Sequence, residues 1–160
     1  MPAVPSSPAA TAVEKTGPAT LGTAEVDSPA DAFAAVPDPR APRGRWHPLV
    51  AILLIAACAV TGDADGFTAI WQWADDAPPP VLARLRVRVD PWSGAYRAPS
   101  ERTIFDEDHC QARTGHAPRN LATLRNLAID TCRAHGHANI AHARRYYAHR
   151  YDRVLDLYRL

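Results

Sequence analysis

Three adjacent acids, Asp106, Glu107 and Asp108, stand beside His109 and Cys110, and His116, Cys132 and His135 follow farther along the chain. These are residue types that hold divalent metal. Paired carboxylates can clamp two metal ions, one activating an attacking oxygen and the other stabilising the leaving oxygen. That work needs ligands fixed at set distances by separate elements, whereas consecutive acids on one loop point in different directions. The zinc alternative takes Cys110, His116, Cys132 and His135. Cys132 and His135 have a usable i, i+3 spacing on a helix, but the other two fall in a loop and no established zinc spacing results. The residues thus assign no catalytic group and no metal site. Gly62 and Gly66 are not a phosphate loop, since no strand leads into them and no lysine follows.

The formal net charge of +1 hides an asymmetry. Residues 1–39 carry one Lys against five acids, and residues 105–160 carry nine Arg against six acids. Arginine forks suit phosphate, although an Ala- and Arg-rich chain also arises from biased coding composition. Arg119, Arg125, Arg133, Arg144 and Arg145 are the candidates to touch DNA phosphates. Solvated helix faces explain the same residues, and no run of like charge rises to a nucleic-acid patch. Trp71 and Trp73 could stack on bases. Two residues apart on a helix they face different sides, which predicts Trp71 in the core and Trp73 at its edge.

The elements that must position these groups are mostly helical. Residues 1–37 are dominated by Ala, Pro, Ser and Thr and bury too little to offset the entropy of ordering, so a disordered tail is expected. HPLVAILLIAACAVTG (residues 47–62) is the most apolar run. A membrane span needs about 20 such residues. This run is shorter, so a central core helix is the better reading, with Pro48 in its first turn, Gly62 as its stop and Asp65 capping the next helix. In that next helix Phe67, Ile70, Trp71 and Ala74 make one apolar face. Ile55-Ala56-Ala57-Cys58 also resembles a lipoprotein processing box, which would make Cys58 a lipid anchor, but four common small residues are weak support. An odd count of three cysteines argues against a disulfide framework and for a reducing, cytoplasmic setting.

Beyond the three consecutive prolines, VLARL predicts a short helix, RVRVDPWSGAYRAPS a short strand or extended loop with a turn, and Ser100 a cap for a helix starting at Glu101. Leu121, Leu124, Ala128, Ile129 and Cys132 then share one helix face, with Gly136 as the stop. After Asn139 another helix is expected to run unbroken to the chain end, because no Pro or Gly interrupts it.

Two blocks of these words resemble bacterial insertion-sequence transposases of the ISAs type, also called H-repeat-associated proteins. The first is VPDPRAPRGRWHPLVAILLIAACAVTGDADGFTAIWQWADDAPPPVLARL, continued through DPWSGAYRAPSERTI, and it is similar to the N-terminal associated domain. The second, DEDHCQARTGHAPRNLATLRNLAIDTCRAHGHANIAHARRYYAHR, looks like the C-terminal end of the same family. The resemblance implies a ribonuclease H-like core between the blocks, in which two Asp and one Glu hold divalent metal for strand cleavage and transfer. Here Ile104 runs straight into Phe105, so that core is missing, and no family catalytic residue carries over to any position. The expected fold is mainly α: a disordered tail (1–37), a small helical unit (38–104) and a C-terminal fragment folded as a helical hairpin (105–160). The implied function is that of a truncated, catalytically inactive transposase, with no cofactor in this chain and divalent metal only in the intact family. The alternative is a small helical module that binds DNA or full-length transposase as a competitor. Apolar surface left by the lost core predicts self-association.

Overall fold

The apolar run becomes helix α2, Leu49–Thr61, and is buried along nearly all its length. A helix that is apolar on every side needs cover on every side, and four others supply it: α1 (Pro29–Ala34), α3 (Phe67–Asp75), α6 (Ala117–Ala134) and α8 (Tyr151–Leu157). The remaining helices are α4 (Pro79–Arg84), α5 (Glu101–Asp106) and α7 (Ile140–Tyr147). The computed structural model describes residues 28–40, 42, 45–106 and 117–160. Most of the expected tail lies outside the described residues. Its last part is helical, with Ser28 Oγ accepting the Asp31 amide at 3.2 Å and Ala30 buried against the core.

The two blocks share one hydrophobic core. Ala128 and Cys132 of α6, Ala143 and Tyr147 of α7, and Val154, Leu155 and Tyr158 at the end of the chain cluster with Leu54, Ile55 and Val60 of α2. Tyr158 is the largest fully buried side chain, at 0% exposure. Its hydroxyl lies 2.9 Å from Thr61 Oγ1, which in turn donates to the Ala57 carbonyl at 2.9 Å. Buried hydroxyls satisfied in this way cost little. Arg84 of α4 adds a tie at the surface, reaching Asp156 at 3.2 Å and the Leu160 carbonyl at 2.8 Å. The C-terminal block thus covers much of α2. Trp46, Trp92 and Tyr146 are among the few large apolar side chains left exposed.

Several local expectations change. Helix α2 does end at Gly62, but Gly62 has an ordinary φ of −79°, and Asp63 takes the left-handed conformation at φ 83°. The Asp63 and Ala64 amides then close a Schellman motif on the carbonyls of Val60 and Ala59. Gly62 serves another need: a Cβ there would stand 3.3 Å from the Trp73 indole nitrogen. Trp73, expected at the edge, is buried, and Trp71 is only half-buried. The reason lies in a distant element. Tyr151 of α8 packs on Trp73 with ring centroids 4.8 Å apart and donates its hydroxyl to the Trp73 carbonyl at 3.1 Å. Asp65 does not cap α3, whose N-cap is Gly66.

The long final helix is in fact two. Ala148 adopts φ −55°, ψ 130° and His149 φ 55°, which turns α8 back onto α2 and α4. The break lets Val154, Leu155 and Tyr158 fold back onto the central helix, and burial wins over unbroken helical propensity. Elsewhere the punctuation is as expected. Ser100 Oγ accepts the Thr103 amide at 3.2 Å, and Gly136, at φ 85°, ends α6 in a second Schellman motif. The 86–99 stretch is extended, with an antiparallel bridge between Val89 and Tyr96.

Candidate functional site

Charged side chains gather at both ends of α2. Beyond its C-terminus, Asp63 and Asp65 draw arginines from the C-terminal helices. Arg144 Nη2 lies 2.9 Å from a carboxylate oxygen of each acid. Arg125 Nη2 donates to the Asp65 carbonyl at 2.6 Å and stands 3.9 Å from its carboxylate. Two of the five arginines expected at phosphates are thus held against the α2–α3 turn. Arg133 faces Asp130 on its own helix at 4.0 Å, while Arg119 and Arg145 are exposed. The structure therefore splits the five: Arg125 and Arg144 latch one block to the other, and Arg119, Arg133 and Arg145 look outward.

The other end is built from the words that lead into α2. Asp38 accepts both Nε and Nη2 of Arg40 at 2.8 Å and the Arg40 amide at 3.0 Å. That fork is the main reason the Asp38 carboxyl is lowered to about 2. The same Arg40 reaches the His47 carbonyl at 3.0 Å, and Arg45 donates to the Asp38 carbonyl at 3.2 Å. His47 is 4% exposed, and burial, followed by the positive charges of Arg40, Arg88 and Arg97, brings its imidazole down to about 4. It is neutral at pH 7. Its Nδ1 is buried without a hydrogen-bond partner among the described residues.

Next to His47 opens a cleft of about 300 Å³ whose walls include Trp46, Asp90, Trp92, Arg97 and Ser100. Arg88 stands over the Trp46 ring at 6.0 Å, the outer limit of a cation–π contact. Sequence reasoning missed this site. It had a signal, because Asp38, Arg40, Arg45, His47, Asp90 and Arg97 all lie in the quoted words, but nothing in their spacing says that the words meet in space.

Of the metal-candidate side chains only those of Cys132 and His135 lie among the described residues, and they do not come together. Cys132 is buried in the core, where desolvation raises its thiol pKa, and the exposed His135 ring pairs with the Thr131 carbonyl at 2.9 Å. Cys110, His116, Glu107, Asp108 and the side chain of Asp106 lie outside the described residues. Among the described residues no three His, Cys, Asp or Glu side chains form a group that could hold a metal ion. Asp63 and Asp65 share Arg144 as an ion-pair partner. Cys58, the lipidation candidate, is fully buried inside α2, and its thiol is pushed far up by desolvation. No helix among the described residues is long and apolar enough to cross a membrane.

Residues 30–106, which hold the His47 cleft and helices α1 to α5, match the model of the DDE_Tnp_1-associated family. No curated protein and no solved structure matches the chain. The arginines of α6 and α7 lie beyond the matched segment. The match over residues 30–106, just under half of the chain, supports a DDE transposase-associated, insertion-sequence family member and a transposase-family protein.

Proposed function

We propose that this chain is an internally deleted insertion-sequence transposase, in which the associated domain (38–104) runs directly into the C-terminal end of the enzyme (105–160). On this reading it neither cuts nor joins DNA by itself. The observation that carries the proposal is the junction: the family match ends at Asp106, the helix bearing the LRNLAI word packs straight onto α2, and the helix that begins in the GHANIA word packs on that one. A metal-dependent strand transfer needs carboxylates held apart on separate elements. The acids of the described residues form no group that could hold a metal ion, and Asp63 and Asp65 are bound to arginine. The divalent metal belongs to the intact family, and no residue here is assigned to it.

The shared core supports a second, compatible role. A chain that buries Tyr158 and Cys132 against α2 is a folded module rather than two loose fragments. We infer that this module works in the cytoplasm, contacting DNA and competing with full-length transposase. Arg119, Arg133 and Arg145 reach phosphates first, and Arg125 and Arg144 follow by exchanging exposed carboxylates for phosphate. Such exposed ion pairs are worth about 0–1 kcal/mol each and are readily exchanged.

The purified chain, incubated with supercoiled plasmid and magnesium or manganese, is expected to leave the plasmid intact. Nicking that disappears when one of its own carboxylates is replaced would reject the inactive reading. Duplex binding followed by fluorescence anisotropy is expected to weaken with salt, and each of Arg119→Gln, Arg133→Gln and Arg145→Gln to lower the log–log salt slope by about 0.9. Salt-independent binding, or none, would reject the DNA-contacting role.

A further inference from the structure

Trp92 is 93% exposed, which is unusual for so large an apolar side chain. Its exposure is not that of a loose loop. The Asp90 carboxylate accepts the Trp92 amide at 2.9 Å, the Asp90 amide donates to the Ala95 carbonyl at 2.8 Å, and the Gly94 amide donates to the Asp90 carbonyl at 2.8 Å. Gly94 supplies the φ of 68° that lets the turn close. The chain thus holds the backbone that presents an indole to water at the mouth of the cleft.

Three chemistries meet there. The indole offers a flat apolar face. Arg97 in the cleft wall and Arg88 above Trp46 offer positive charge, and neither is paired with an acid among the described residues. His47 offers a neutral imidazole in the cleft wall. A cavity of about 300 Å³ is at the low end for small-molecule sites, so it suits one compact unit.

We propose that this cleft binds an unpaired nucleotide of single-stranded DNA, with the base stacked on Trp92 and the phosphate at Arg97. Every base presents a stacking face and every nucleotide a phosphate, so stacking platforms with arginines suit single strands without regard to sequence. A base inside a duplex has no free face until it is unstacked. A protein partner would use the indole but leave two arginines unanswered. The proposal stands apart from the arginines of α6 and α7, the proposed duplex contacts, which lie outside the family-matched segment.

The test uses the full chain and a short labelled oligothymidylate, with a duplex of mixed sequence for comparison. Oligothymidylate is expected to bind and to quench tryptophan emission, and Trp92→Ala to weaken that binding tenfold or more. Trp92→Phe should retain most of the affinity, and Arg97→Gln should lower the single-strand salt slope by about 0.7. Duplex binding should not respond to Trp92→Ala. Because Trp92 stands in solvent, its replacement leaves the fold intact, which circular dichroism verifies. Single-strand affinity unchanged in Trp92→Ala overturns the proposal. So does a Trp92→Ala variant whose only effect is to dissociate a homo-oligomer in sedimentation, which would make the indole a protein contact. Either result leaves the duplex measurements, and with them the proposed function, untouched.

Discussion

The two ends of α2 hold acid–arginine clusters of opposite kinds. At the N-terminal end Asp38 and Arg40 are two positions apart in sequence, their side chains are 22% and 15% exposed, and the pair is a bidentate fork that also holds the His47 carbonyl. At the C-terminal end Asp63 and Asp65 meet Arg125 and Arg144, which lie 60 or more positions away, and Asp65 is 75% exposed. A half-buried, charge-assisted fork strengthens in its lower dielectric, while an exposed pair is weakened by water and salt. The first cluster therefore holds a local lead-in rigid. The second chooses which face of the C-terminal block meets the α2–α3 turn, and contributes little stability.

If a single core underlies both ends, removing a C-terminal side chain must loosen the N-terminal one. Tyr158→Ala is expected to cost about 3–5 kcal/mol. Urea unfolding followed by the fluorescence of the four tryptophans, all in the N-terminal block, and by circular dichroism should show one transition, moved equally in both signals. A shift in ellipticity alone would mean that the blocks unfold separately. The difference between the clusters comes next. Arg40→Ala should cost about 1.5–3 kcal/mol, because it strands a charged acceptor and the His47 carbonyl.

Acid sharpens the same contrast. The folded His47 stays neutral down to about 4, against an ordinary value of 6.5, so the unfolded chain binds its proton first. Stability should then fall as pH drops from 6.5 towards 4, by about 2 kcal/mol at pH 5. Asp38, held at about 2, extends the loss below its ordinary 3.8. His47→Gln should flatten the upper part of this profile in thermal melts. The smallest effect belongs to the exposed cluster: Arg144→Ala should cost less than about 1 kcal/mol, and added salt should remove the difference from wild type while leaving that of Arg40→Ala. An equal salt response from both variants would erase the distinction between the two ends.

Much of the fold was legible along the chain. The length of the apolar run, the proline before α4, Ser100 at the head of α5 and Gly136 after α6 act within a few residues of themselves, and the helices they bound appear where expected. Trp73 and the break at His149 were not legible, because each depends on Tyr151 or Tyr158 meeting α2 and α3 from far along the chain. For the site, the sequence named five arginines and could not sort them. The acids that engage Arg125 and Arg144 sit in another block, and Asp65 read locally as a helix cap.

The sequence alone determined the helical class, most helix ends and the likeness to a transposase-associated domain, since backbone capping and apolar periodicity are short-range effects. Only the tertiary structure decided that the two blocks share a core, that Trp73 rather than Trp71 is sealed inside it, and that His47, Trp92 and Arg97 border one cleft. Those outcomes turn on which surfaces exclude water together, and that is a property of the packed chain.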